Sequence, residues 1–119
     1  MNRTPQEIGT AAESRALNYL CEQGLRPLER NFRIRRGEID LIMQDTEEVV
    51  FVEVRSRASG HSFGDGIDSI GRAKRRRLIA AAAAWLQRQP GEPPTRFDVL
   101  AVDETGTMTW LRDAFRADD

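Results

Sequence analysis

The sequence predicts one α/β domain, a single mixed β-sheet flanked by helices in the order α-β-β-β-α-β-β, and three observations carry that expectation. Two stretches rich in β-branched and apolar residues, Glu38–Gln44 and Val49–Arg55, flank the polar turn Asp45-Thr46-Glu47-Glu48, which is the signature of a β-hairpin. A capped amphipathic helix precedes them and an alanine-rich helical run follows them. At 119 residues the chain is long enough for one core and too short for two, so any active site must be assembled from a single unit.

Thr4-Pro5-Gln6-Glu7 starts the first helix. Thr4 is the N-cap, Pro5 occupies the first helical position where its missing N–H costs nothing, and Glu7 closes a capping box. The helix runs to about Glu22 and stops before Gly24, with an apolar stripe of Ile8, Ala12, Ala16, Leu17, Tyr19 and Leu20. Glu13 lies three, four and seven residues before Ala16, Leu17 and Leu20, on or beside the buried face. Either it escapes to water at the edge of the stripe or it is held there for a purpose. Cys21, near the end of this helix, reads as a small core residue. Leu25–Ile34 is extended in character but weakly patterned.

If Asp45–Glu48 form the hairpin loop, Gln44 faces Val49, and the antiparallel ladder pairs Ile42 with Phe51, Asp40 with Glu53 and Glu38 with Arg55. The opposite face carries Ile39, Leu41 and Met43 against Val54, Val52 and Val50. It is wholly apolar and fixes the register, because a slip of one residue would drive Glu53 into the core. Directly opposed side chains have Cβ atoms roughly 4.5–5.5 Å apart, where two like charges are destabilising. A hard divalent cation would neutralise Asp40 and Glu53, since Mg²⁺ is commonly held by one or two carboxylates plus a substrate phosphate. Alternatively Arg55 or a neighbouring arginine does so in a structural salt-bridge cluster.

Ser59–Gly66 contains three glycines and reads as a loop near this site, with His61 either solvated or in reach of substrate. Asp68-Ser69-Ile70-Gly71 begins the second helix, with the cap at Asp68 or Gly71, and the run from Arg72 to about Gln89 ends in Pro90-Gly91. After a linker from Pro90 to Pro94, Arg96–Asp103 forms a strand that pairs with Thr107–Leu111 across Glu104-Thr105-Gly106. Residues 113–119 are left as a loosely ordered tail of the single domain 1–119. Trp85 and Trp110 have apolar neighbours and form no row suited to base stacking, so both are expected to pack.

Composition narrows the chemistry. One cysteine and one histidine exclude an intramolecular disulfide and a Cys/His zinc site, so any metal must sit on carboxylates. The longest apolar run, Leu78–Leu86, is far below the roughly 20 residues needed to span a bilayer; a cytoplasmic protein with no membrane partner is expected. The net charge of −1 hides segregation: Arg33, Arg35 and Arg36 form one basic cluster, Arg55 and Arg57 a second, and Arg72, Lys74, Arg75, Arg76 and Arg77 a third. A single basic run is by default a solvated face; three beside a carboxylate pair point to backbone phosphates of a polyanion, contacted without reading sequence. For Lys74 the expectation is the solvated face, unless its helix packs beside the hairpin.

Gly37-Glu38-Ile39-Asp40-Leu41-Ile42 followed by Val50-Phe51-Val52-Glu53-Val54-Arg55 resembles the YraN family of small bacterial proteins, itself similar to the PD-(D/E)xK nuclease superfamily and to archaeal Holliday-junction resolvases. The resemblance covers nearly the whole chain. It implies a restriction-endonuclease-like fold, Mg²⁺ or Mn²⁺ on Asp40 and Glu53, Glu13 joining them from the first helix, and DNA, branched or otherwise structured, as substrate. Resolvase-like relatives act as symmetric homodimers, although no stripe in this chain marks a dimer surface. One departure bears on catalysis: the motif usually ends in lysine two residues after the acid, and this chain has Arg55. Arginine steadies phosphate charge but does not readily release a proton. Two functions follow: a metal-dependent endonuclease using Glu13, Asp40, Glu53 and Arg55, with Arg35, Arg36, Arg57, Arg72, Lys74, Arg75 and Arg76 on the nucleic acid, or a nucleic-acid-binding or protein-interaction module on a nuclease fold without turnover.

Overall fold

A computed structural model describes residues 4–57 and 70–117. Its elements are α1 (Pro5–Glu22), β1 (Arg26–Ile34), β2 (Gly37–Asp45), β3 (Glu48–Arg57), α2 (Arg72–Gln87), β4 (Thr95–Asp103) and β5 (Met108–Phe115). The five strands form one sheet in sequential order, antiparallel except for the parallel β3–β4 pair. A parallel pair requires a crossover, and α2 lies within it. The α/β order read from the sequence is therefore the observed one.

The helices cover opposite faces. Ala16 and Leu20 of α1 pack on Leu41, Met43, Val50, Val52 and Leu100. Leu78, Ala81, Ala82 and Trp85 of α2 pack on Ile42, Val49, Phe51, Phe97 and Val99. The central strands are thus apolar on both faces, as a sheet with helices on both sides demands. Thr4 caps α1 by accepting from the Glu7 N–H (3.1 Å), and Gly71 precedes α2 without a side-chain cap. Among the described residues no helix is long and apolar enough to cross a membrane.

The β2–β3 register is the expected one, with Gln44 opposite Val49 and Leu41 opposite Val52, but Asp45 also pairs with Glu48, so the loop shrinks to Thr46-Glu47 with Thr46 at φ 55°. Ile39 departs from the expected face. It packs on the α2 side with Phe32, whereas Leu41 packs on the α1 side. The switch has a visible cause one strand over. Asn31 adopts a left-handed φ of 52°, and Asn is among the few residues that tolerate it; on its two sides Arg30 pairs with Leu41 and Phe32 with Ile39. Both strands therefore change face at the level of Asn31 and Asp40.

Other expectations are corrected. Cys21 is exposed, because it falls off the Ala16–Leu20 stripe. Ile8 is 46% exposed and lines a groove with Ala11, Ser56, Arg57 and Val102. Glu38 pairs with Arg33 on β1 (3.3 Å) rather than with Arg55. β5 runs through Phe115, whose ring stacks on Phe97 at 4.7 Å. His61, the Ser59–Gly66 loop and the Asp68 cap lie outside the described residues.

Candidate functional site: a carboxylate cluster at the splayed end of the hairpin

The β2–β3 ladder runs from Asp45–Glu48 to Leu41–Val52. One residue further along, the Asp40 carboxylate accepts the Val54 backbone N–H at 2.8 Å. A side chain has taken a donor that a regular ladder would give to a carbonyl, so the strands splay where the acids meet. Because the face changes at this level, Asp40 can reach both sides of the sheet: it interacts with Glu13 of α1 and with Glu53 of β3.

Glu53 is almost fully buried. Its Oε2 lies 3.1 Å from Nζ of Lys74 and 3.6 Å from Nη1 of Arg55. α2 does pack beside the hairpin, and the ammonium expected on a solvated face is at the acid pair. The Asp40 carboxyl is pushed up to about 8, first by burial, then by the charge of Glu53 and a hydrogen bond between the two carboxyl groups, with Glu13 adding to both. Glu13 is also raised, by burial first; Arg30 opposes this, Glu38 adds to it, and hydrogen bonds with Asn31 and Asp40 oppose it. Asp40 is thus the acid of this group that keeps its proton near neutral pH, where an ordinary aspartate has lost it.

Among the described residues no group of three or more Asp, Glu, His or Cys side chains is gathered tightly enough to enclose a metal ion. What the site offers is two hard oxygen donors, Asp40 and Glu53, with Glu13 reaching Asp40. That donor set suits Mg²⁺, which keeps several waters and takes one or two protein carboxylates together with a phosphate.

The candidate phosphate contacts divide. Arg35 and Arg36 form the two-residue β1–β2 turn and line, with Lys74, a pocket beside the acids. Arg75 donates to the Ile70 carbonyl (3.1 Å) and lies over the Phe115 ring, so it packs. Arg57 donates to the Ser56 carbonyl and lines the groove under Ile8, apart from the pocket. Arg72 and Arg76 are exposed on α2. Sequence reasoning missed Asn31, which gives no signal in an alternation pattern. It also missed the alignment of Lys74 with Arg77, for which the i,i+3 spacing on a helix was the available signal.

Gly37 is the contact that seats this turn. A Cβ built there would fall on the backbone carbonyl of Arg77 in α2. Gly37→Ala is expected to lower unfolding free energy by about 1–3 kcal/mol, the usual cost of overpacking against backbone that cannot rotate away. Urea titration reads this directly, and a loss below about 0.5 kcal/mol, the level of a neutral surface substitution, would show that the turn can lift off α2 freely.

The family model described as "Uncharacterised protein family UPF0102" matches residues 12–102, which includes α1 from Ala12, the hairpin, α2 and β4 as far as Val102. The chain belongs to UPF0102. UPF0102 proteins similar to it include one from Janthinobacterium sp. (strain Marseille), 54% identical over 116 residues that cover 97% of this chain and 93% of the relative. One from Nitrosococcus oceani is 52% identical over 120 residues, 97% and 96% of the two chains. One from Halorhodospira halophila is 54% identical over 112 residues, 94% and 89%. The UPF0102 match spans every carboxylate of the cluster and both cations on Glu53, so the whole candidate site lies within the family's matched region.

Proposed function

We propose that this chain is a divalent-metal-dependent endonuclease that hydrolyses phosphodiester bonds, with structured or branched DNA as its substrate. The observation that carries this reading is the convergence of Asp40 and Glu53 at the splayed hairpin with the Lys74 ammonium 3.1 Å from Glu53. Mg²⁺ or Mn²⁺, when bound by the two carboxylates, would polarise a phosphoryl oxygen and lower the pKa of a coordinated water. Asp40 and Glu53 hold and orient; Glu13, through Asp40, fixes the first of them. Lys74 supplies what the arginine at the motif's usual lysine position does not, a cation able to orient a water and to exchange a proton. Arg55 steadies charge that builds on the phosphoryl oxygens.

The test is cleavage of a synthetic four-way DNA and of plasmid DNA with Mg²⁺ or Mn²⁺. Cleavage is expected for the native chain, lost in Asp40→Asn and Glu53→Gln, and strongly reduced in Lys74→Ala even at protein concentrations that saturate the DNA. A native chain that binds DNA but cuts nothing in either metal would end the enzymatic reading.

A second reading is a nucleic-acid-binding module without turnover, and one observation favours it. Glu53 is already neutralised by Lys74 and Arg55, so the acid pair does not require a metal to be tolerated. DNA binding unaffected by metal, together with full retention of binding in Glu53→Gln, is its expected result.

A further inference from the structure

Beside the carboxylates, the β1–β2 turn and α2 enclose a pocket of about 570 Å³. Among the described residues its walls carry five cations, Arg33, Arg35, Arg36, Lys74 and Arg77, against one carboxylate, Glu38. That carboxylate is engaged by Arg33 at 3.3 Å, so it does not offset the other four. Lys74 and Arg77 stand one helical turn apart on α2, and Arg35 and Arg36 come from the two-residue turn opposite. The charges are brought together by a backbone contact: only a residue without Cβ lets the turn rest on the Arg77 carbonyl. Like charges held this way repel one another, at a cost that a bound polyanion removes. Among the described residues the lining has no aromatic side chain and a single apolar one larger than glycine, Ile34, so what it offers a strand is charge rather than a stacking surface.

We propose that this pocket is a backbone-phosphate site for the nucleic-acid strand that runs past Asp40 and Glu53, with Arg35, Arg36, Lys74 and Arg77 as its donors. The inference rests on the nuclease reading for the nature of the strand and adds where that strand is gripped. Lys74 belongs to both places, within reach of Glu53 and on the pocket wall, so the gripped phosphate neighbours the reacting one. Contacts of this kind set the position of the strand and carry no sequence information. The substrate class is therefore DNA recognised by backbone geometry rather than by base identity.

The experiment is equilibrium binding of a fluorescent four-way DNA in EDTA, across a salt series of about 50–200 mM, in which phosphate contacts are most visible. Two charge-matched variants are compared: Arg36→Ala/Arg77→Ala in the pocket, and Arg26→Ala/Arg112→Ala at exposed positions outside it. The pocket variant is expected to lose about tenfold or more in affinity, with the slope of log K against log salt falling by about 1, the value for one lost phosphate contact. The outer variant should stay within about twofold of the native chain, because weak long-range attraction is largely screened at these salt concentrations. Equal losses in both variants, or none in either, would overturn the proposal, as would a native chain that binds no DNA or is displaced as readily by poly-glutamate.

Cleavage assays separate this inference from the reading beneath it. Binding with the expected pattern but no turnover in Mg²⁺ or Mn²⁺ leaves the pocket standing and removes the nuclease. Cleavage by the pocket variant with native KM and kcat leaves the nuclease standing and removes the pocket.

Discussion

Asp98→Ala is expected to destabilise the fold by about 3–5 kcal/mol, the range for removing one partner of a buried ion pair. Asp98 sits in β4 with its side chain wholly buried, and every oxygen is committed. Arg96 Nε and Nη2 donate to it at 3.0 and 3.2 Å, the Trp110 indole N–H at 2.9 Å and the Asp113 backbone N–H at 2.9 Å. The last bond explains the shape of β5. Between Phe97–Phe115 and Val99–Leu111 the register slips, Asp113 takes a left-handed φ of 54°, and its N–H turns onto Asp98 instead of a ladder carbonyl. Alanine would leave the indole and the Asp113 amide without that acceptor and would shift the whole Arg96 guanidinium onto Asp45 and Glu48. Against total stabilities of about 5–15 kcal/mol that loss approaches unfolding. Urea midpoints with an unchanged m-value would measure it, and Glu38→Ala supplies the contrast. The Arg33–Glu38 pair is largely exposed, so its loss should cost less than about 1 kcal/mol. A cost for Asp98→Ala no larger than that would show the network to be dispensable.

The hairpin was legible in the sequence because its two apolar runs and its polar loop agree, and because slipping the register by one residue would bury Glu53 on the wrong side. That is why Leu41–Val52 and Gln44–Val49 could be paired before any coordinates. β1 was not legible in the same way. It is an edge strand with Pro27 near its start, a register shift between Pro27 and Glu29, and only Phe32 buried along its length, so hydrophobic periodicity had little to report. The Asp98 network escaped notice for a related reason. An acid flanked by Phe97 and Val99 looks like one polar step of an alternating strand, and nothing local says that an arginine two residues earlier and a bulge fifteen residues later will close around it.

At the candidate site the sequence placed the acids and the structure placed the cations. Register brings Asp40 and Glu53 to the same level, and the Asp40 bond to the Val54 N–H beyond the last ladder pair fixes how they meet. Lys74 is 21 positions beyond Glu53, on another element, and its position depends on how α2 docks. That docking depends on Gly37 meeting the Arg77 carbonyl, a contact between backbones that no side-chain pattern encodes. The arginine at the motif's lysine position therefore misleads when read along the chain, because the ammonium arrives from a different helix.

Asp40→Asn should stabilise the metal-free protein at alkaline pH while removing a ligand oxygen from the site. The native carboxyl is pushed from 3.8 to about 8, so the folded state binds a proton that the unfolded chain has already released across that interval. Stability from this group is complete below about pH 4, falls as pH rises, and is gone above about pH 8, where a second charge must be held beside Glu53. Asparagine carries no charge to ionise; its oxygen can still accept from the Val54 N–H and its amide can donate to Glu53. Relative to the native chain, the variant should therefore gain on the order of 3–5 kcal/mol in unfolding free energy between pH 5 and pH 9, from a shift worth about 1.36 kcal/mol per unit. Urea titrations of both proteins in EDTA at the two pH values give the difference, which belongs to Asp40 together with the Glu53 and Glu13 groups that interact with it. Adding Mg²⁺ at pH 9 should close much of the gap by stabilising the native chain alone, because a cation offsets the repulsion that asparagine has already removed. A stability difference that does not change with pH would mean that Asp40 is ionised throughout. The acid pair would then be two buried charges already offset by Lys74 and Arg55 rather than a site that holds two carboxylates together against their mutual repulsion.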